Sequence, residues 1–176
     1  MSGGDSAFEA AKILADLGVS ASEMGYRAQA LLAATLARMP GGIEVVARTG
    51  HPDIIARVAG RLFWIQAKAT AQSTFRLSAD DLAGIRSRSG EEEGYLAVLD
   101  LGPPVAWIFV PHARAVRLVD RTVPLAMLRT MQDRQLSLEC SSVFVELVLE
   151  RPESIEAHTF GLMRRRALAG NADEPA

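Results

Sequence analysis

The sequence predicts an α/β fold with a mixed sheet of about five strands flanked by helices. Three observations carry that expectation. A long segment with helical spacing is followed by three short runs rich in strand formers. A helix-start signature then interrupts the strands. Two or three further apolar runs, separated by turn residues, come after it.

The first helix is expected over Ala7–Leu17, with Phe8, Ala11, Ile13, Leu14 and Leu17 as its apolar positions and Gly18 as its end. Ser20-Ala-Ser-Glu23 has the form of a capping box, in which Ser20 caps and Glu23 reaches back. A second helix follows from about Ala21 to Met39, where Leu31, Leu32, Thr35, Leu36 and Met39 recur at helical spacing. Pro40-Gly41-Gly42 stops it.

Ile43–Arg48 reads as a strand and Thr49–Pro52 as a turn. Asp53–Val58 and Arg61–Ala69 read as two strands of a hairpin turning at Gly60. Leu77-Ser78-Ala-Asp-Asp81 repeats the capping-box pattern and predicts a helix to about Ser87. Glu91–Glu93 reads as a solvated charge run. Gly94–Leu101 and Val105–Val110 are expected strands around the turn Gly102-Pro103-Pro104, and Arg114–Val119 is a candidate third. Pro124–Met131 looks helical. Val143–Leu149 fits a late strand or a buried helix segment, and its periodicity does not separate them.

The 176 residues suit one domain over residues 1–170 with a core at about 21–120, and a disordered tail is expected over 171–176. The single cysteine, Cys140, excludes an intramolecular disulfide and a cysteine zinc cage. The first residues have neither a basic nor an apolar leader region, and no apolar run approaches the length of a membrane helix, so a cytoplasmic protein without membrane contact is expected. The formal net charge of −2 argues mildly against a DNA-coating protein, but a local basic patch suffices to hold phosphates.

The chemistry is concentrated in Pro52-Asp53 and Gln66-Ala67-Lys68. Across a tight hairpin the end of the second strand lies beside the start of the first, so Asp53 meets Gln66 and Lys68. Gln66 and Lys68, two apart, share one strand face, and Ala67 points to the other. Asp53, the Gln66 amide oxygen and the Ala67 carbonyl form an oxygen donor set suited to Mg²⁺ or Mn²⁺. Such an ion polarises a phosphoryl oxygen and acidifies bound water, and Lys68 would orient that water or stabilise developing charge. Asp53 after proline is also a common turn residue, and Gln66 and Lys68 also suit the polar face of a strand.

The stretch Gly25–Val110 resembles the restriction-endonuclease-like core of the PD-(D/E)XK nuclease superfamily. It is similar to archaeal Holliday-junction resolvases in its order of parts: helix Gly25–Met39, strand Ile43–Arg48, Asp53, Gln66-Ala67-Lys68 and Leu77-Ser78. It is similar to Mrr-like restriction endonucleases in using Gln-X-Lys. The resemblance covers about half the chain and implies a metal-dependent DNA endonuclease of the restriction or junction-resolving type, without an organic cofactor. Two departures weaken the metal site. Gln66 replaces the commoner acid, and alignment puts Gln29 where the resolvases carry a helix Glu. A catalytically degenerate DNA-binding or protein-interaction module is therefore the alternative.

Auxiliary candidates are Gln29, Glu23, Glu44 and His51. Arg48, Arg57, Arg61 and Arg76 surround the hairpin and form a candidate DNA-binding rim, although ordinary surface charge explains them equally well. Trp64 and Trp107 fit a core better than a stacking platform. Cutting both DNA strands calls for two sites, so a homodimer is expected, with Val105–Val110 and Val143–Leu149 as candidate surfaces unless they belong to the core.

Overall fold

The computed structural model describes residues 3–16, 21–47, 52–85 and 92–150. Helices α1 (Gly3–Asp16) and α2 (Ala21–Arg38) come first. Strands β1 (Gly42–Ala47), β2 (Ile54–Val58), β3 (Arg61–Thr70) and β4 (Thr74–Leu77) follow. A 3-10 turn at Asp80–Leu82 precedes β5 (Glu92–Asp100) and β6 (Ala106–Pro111). The chain continues through the short helix α3 (His112–Ala115), a 3-10 turn at Val116–Leu118, β7 (Arg121–Pro124), α4 (Leu125–Met131) and α5 (Arg134–Glu150).

Among the described residues, five strands form one mixed sheet in the order β1-β2-β3-β5-β6, and β4 and β7 form a separate two-stranded ribbon. The expected α/β class is thus the observed one. The first three strands are an antiparallel meander, β5 runs parallel to β3, and β6 turns back antiparallel on β5.

The strand alternation divides the apolar residues between two cores. Phe63, Ile65, Ala67, Tyr95, Ala97, Leu99, Trp107 and Phe109 face α1, α2 and α5. Leu96, Val98, Ile108 and Val110 face the other way, against Leu77, Leu82, Ile85, Leu118 and Leu128. Trp107 is the largest fully buried side chain and meets Phe144 edge-on, with centroids 5.9 Å apart.

The stop after α2 follows from glycine geometry. Gly41 has φ +77°, and a Cβ at Gly42 would lie 2.3 Å from the Leu36 carbonyl oxygen. The β2–β3 hairpin turns on Ala59 and Gly60, both at positive φ. Because the Ala59 N–H donates to the Gly41 carbonyl, the C-terminal end of α2 is tied to this turn.

Several sequence expectations are corrected. The Ser78 box does close reciprocally: the Asp81 N–H reaches Ser78 Oγ at 3.3 Å, and the Ser78 N–H reaches Asp81 Oδ2 at 2.8 Å. It opens only the Asp80–Leu82 turn, which ends just before Gly84, a poor helix former. Arg114–Val119 is not a strand. Pro111 ends β6, and the chain coils so that Ala115 and Leu118 enter the second core. Val143–Leu149 belongs to α5, whose Leu136, Cys140, Phe144, Leu147 and Val148 are buried at helical spacing. Asp133 caps this helix, accepting the Leu136 N–H at 3.1 Å. The proposed dimer surfaces Val105–Val110 and Val143–Leu149 contribute mostly core residues. Glu92 and Glu93 begin β5 rather than a free charge run. The Ser20 cap, the helix end beyond Ile85, Glu91 and the tail after 150 lie outside the described residues.

Candidate functional site

The ladder between β2 and β3 ends where Ile54 pairs with Ile65, while β3 continues along β5 to Thr70. Beyond Ile65, no described strand pairs with the edge of β3 that faced β2. Asp53, one residue before β2, takes that place. Its Oδ2 accepts the Ala67 N–H at 2.9 Å and the Gln66 Nε2–H at 2.5 Å. Asp53 and Gln66 are 4% and 3% exposed, so the carboxylate and amide meet in a nearly dry setting where each bond is strengthened. In an extended strand a residue's C=O points to the same side as its N–H, which sends the Ala67 carbonyl toward the same edge.

Gln66 and Lys68 share the sheet face of Leu96 and Val98. Lys68 Nζ is in ion-pair contact with Asp81 Oδ1. Asp81 also accepts from the N–H and hydroxyl of Ser78, both at 2.8 Å. Burial alone would raise the Asp81 pKa, but the Lys68 ammonium and the two Ser78 donors outweigh it and hold it below the ordinary carboxylate value. Two residues beyond Val98 on the same face, Asp100 accepts from Arg129 Nη2 at 2.7 Å. Two ion pairs, Lys68–Asp81 and Asp100–Arg129, thus involve residues near the carboxyl ends of the parallel strands β3 and β5.

Asp53 is therefore brought together with Gln66 and Ala67, whereas Lys68 lies on the strand face of Gln66 with its ammonium on Asp81. Gln29 is half-buried on α2. Glu23 belongs to α2 and Glu44 to β1, but their side chains lie outside the description, as do Arg48 and His51 altogether. Two of the described arginines, Arg57 and Arg61, lie at the other end of the hairpin from Asp53. Arg57 sits near the hairpin turn, with Nη1 3.5 Å from the Gly60 carbonyl. Arg61, about 23 Å along the strand from Lys68, is held by both carboxylate oxygens of Glu93 and stacks over Phe63 at 5.0 Å. Arg76 is exposed on β4.

Sequence reading missed Asp81 and Asp100 as neighbours of the site. Asp81 was absorbed by the capping box, and only the parallel register of β5 on β3 places Asp100 opposite Thr70. Among the described residues no group of three or more His, Cys, Asp or Glu side chains is arranged to hold a metal ion. The donors at hand are one carboxylate and neutral oxygens, a set that fits a hard cation with little charge compensation. Gln66 presents Nε2 to Asp53, so holding a cation requires its amide to turn and offer Oε1.

Comparison of the chain with protein-family models, with curated proteins and with solved structures found no match. The site is therefore judged on its geometry and chemistry.

Proposed function

We propose that the protein is a metal-dependent endonuclease of the PD-(D/E)XK type, hydrolysing phosphodiester bonds in DNA. The observation that carries the reading is the meeting of Asp53 with Gln66 and Ala67 at the edge of β3, with Lys68 on the same strand face as Gln66. Its support is the order around it: α2, β1, Asp53 before β2, and Gln-Ala-Lys on β3. Asp53, Gln66 Oε1 and the Ala67 carbonyl would hold Mg²⁺ or Mn²⁺. A cation bound there would polarise the phosphoryl oxygen and acidify a water. Lys68, its ammonium fixed by Asp81, orients the attacking water and offsets charge on the phosphoryl oxygens. The apolar walls from Trp64, Leu96 and Val98 limit competing water. A homodimer would supply one such site per DNA strand.

The test is incubation of the purified protein with plasmid, branched and methylated DNA in Mg²⁺ or Mn²⁺. Cleavage is expected in the wild type and lost in Asp53→Ala and Lys68→Ala. Cleavage that persists unchanged in both variants sinks the assignment.

One observation favours a second reading, a non-catalytic module that keeps this fold. Asp53 accepts from Gln66 and Ala67, and Lys68 is neutralised by Asp81, so these groups find partners within the fold. This reading expects no nucleic-acid cleavage and no Mg²⁺ binding. Calorimetry that finds cation binding in the wild type and none in Asp53→Ala argues against it.

A further inference from the structure

Arg27 stands apart from the other charged groups described. Its Nε and Nη1 are shielded from solvent, and neither has a hydrogen-bond partner among the described residues. The ion pairs found elsewhere engage Arg38, Arg61, Lys68 and Arg129 instead. A guanidinium stays charged at any accessible pH and carries five N–H donors. Arg27 as a whole is only partly buried, but shielded donors left unmet on a cation are costly to hold. Such donors call for an explanation, and a ligand that completes them is one.

Its place in the fold indicates which ligand. The end of α2 is tied through Gly41 to the β2–β3 turn. From there α2 runs back along β1, β2 and β3, the strands it packs on. Its N-terminal half, with Arg27, therefore lies toward the opposite end of the meander. That end holds Asp53 at the start of β2 and Ala67 near the end of β3. A positive group with open donors beside a phosphodiester-hydrolysing site suits a backbone phosphate, whose paired oxygens match the guanidinium fork.

We infer that Arg27 is a phosphate-binding residue that takes a DNA backbone phosphate flanking the scissile bond. The inference rests on the nuclease reading for its ligand but not for its test.

The experiment measures binding of fluorescently labelled duplex and branched DNA at several salt concentrations without divalent metal, for wild type, Arg27→Gln, Arg27→Lys and Arg117→Gln. Arg117, exposed on the opposite side of the sheet, controls for general charge. Arg27→Gln is expected to weaken binding about tenfold and to lower the salt slope by about one. Arg27→Lys should keep the slope, and Arg117→Gln should change neither. The ligand-free melting temperature of Arg27→Gln should equal or exceed that of the wild type, because an unmet charge has been removed. An unchanged slope in Arg27→Gln, an equal loss in Arg117→Gln, or a lowered melting temperature in Arg27→Gln overturns the inference. Cleavage assays on Asp53→Ala decide the nuclease reading separately. If the wild type binds no DNA, inorganic phosphate replaces it as the probe. A thermal shift present in the wild type and absent in Arg27→Gln then sustains the phosphate site alone, and no shift in either ends it.

Discussion

Lys68 and Asp81 are joined by an ion pair that ties the end of β3 to the 3-10 turn below the sheet. The Asp81 side chain is 13% exposed, and Ser78 supplies its remaining donors. The pair connects the candidate site to the second core.

The pH dependence of this contact follows from its sign. The folded state holds Asp81 below its ordinary value of 3.8, so the stabilisation is complete above that value. It is lost as pH falls through the lower, folded value. The stability difference between wild type and Asp81→Asn should be constant from pH 7 to pH 5 and shrink below about pH 4. Urea unfolding at each pH measures it, and a difference that grows on acidification contradicts the assignment.

Asp53→Ala should destabilise the protein by about 2–4 kcal/mol, because it leaves the buried Ala67 N–H and Gln66 amide without their acceptor. Asp53→Asn keeps one acceptor oxygen and should cost less. Denaturant unfolding of the two variants side by side tests the ranking.

The hairpin turn offers a stabilising change. Ala59 has φ +49° and Gly60 φ +81°, a pair that suits Asn-Gly far better than Ala-Gly. Ala59→Asn should raise stability by about 0.5–1 kcal/mol. Gly42→Ala should lower it by about 1–3 kcal/mol, because its Cβ meets the Leu36 carbonyl. Thermal melts of both variants should move in opposite directions.

Cys140 is fully buried in the first core, and burial pushes its thiol pKa well up. A thiol-reactive dye should therefore label the folded protein only at its rate of opening and label the urea-unfolded chain at once. Rapid labelling under native conditions would contradict this burial.

The helix α2, the three strands of the meander and the meeting of Asp53 with Gln66 and Ala67 were legible because each depends on local pattern. Strand formers around Gly60 specify a hairpin, and a hairpin fixes which ends meet. The Ser78 box was legible as a hydrogen-bonding motif but not in its extent. The chemistry that caps one turn is the same whether or not a helix follows. Residues 143–149 were ambiguous as a short window and became a helix once Leu136 and Cys140 extended the stripe.

The sequence by itself determined the α/β class and the polar residues at the end of the hairpin, since both follow from periodicity and short-range geometry. Only the tertiary structure decided what those residues touch. Lys68 meets Asp81 because the chain between β3 and β5 folds beneath the sheet. Asp100 joins that end because β5 lies parallel to β3 in one register. Arg61 is held by Glu93, a residue 32 positions on. Contacts of this kind arise from the packing of distant segments, and no local pattern encodes their partners.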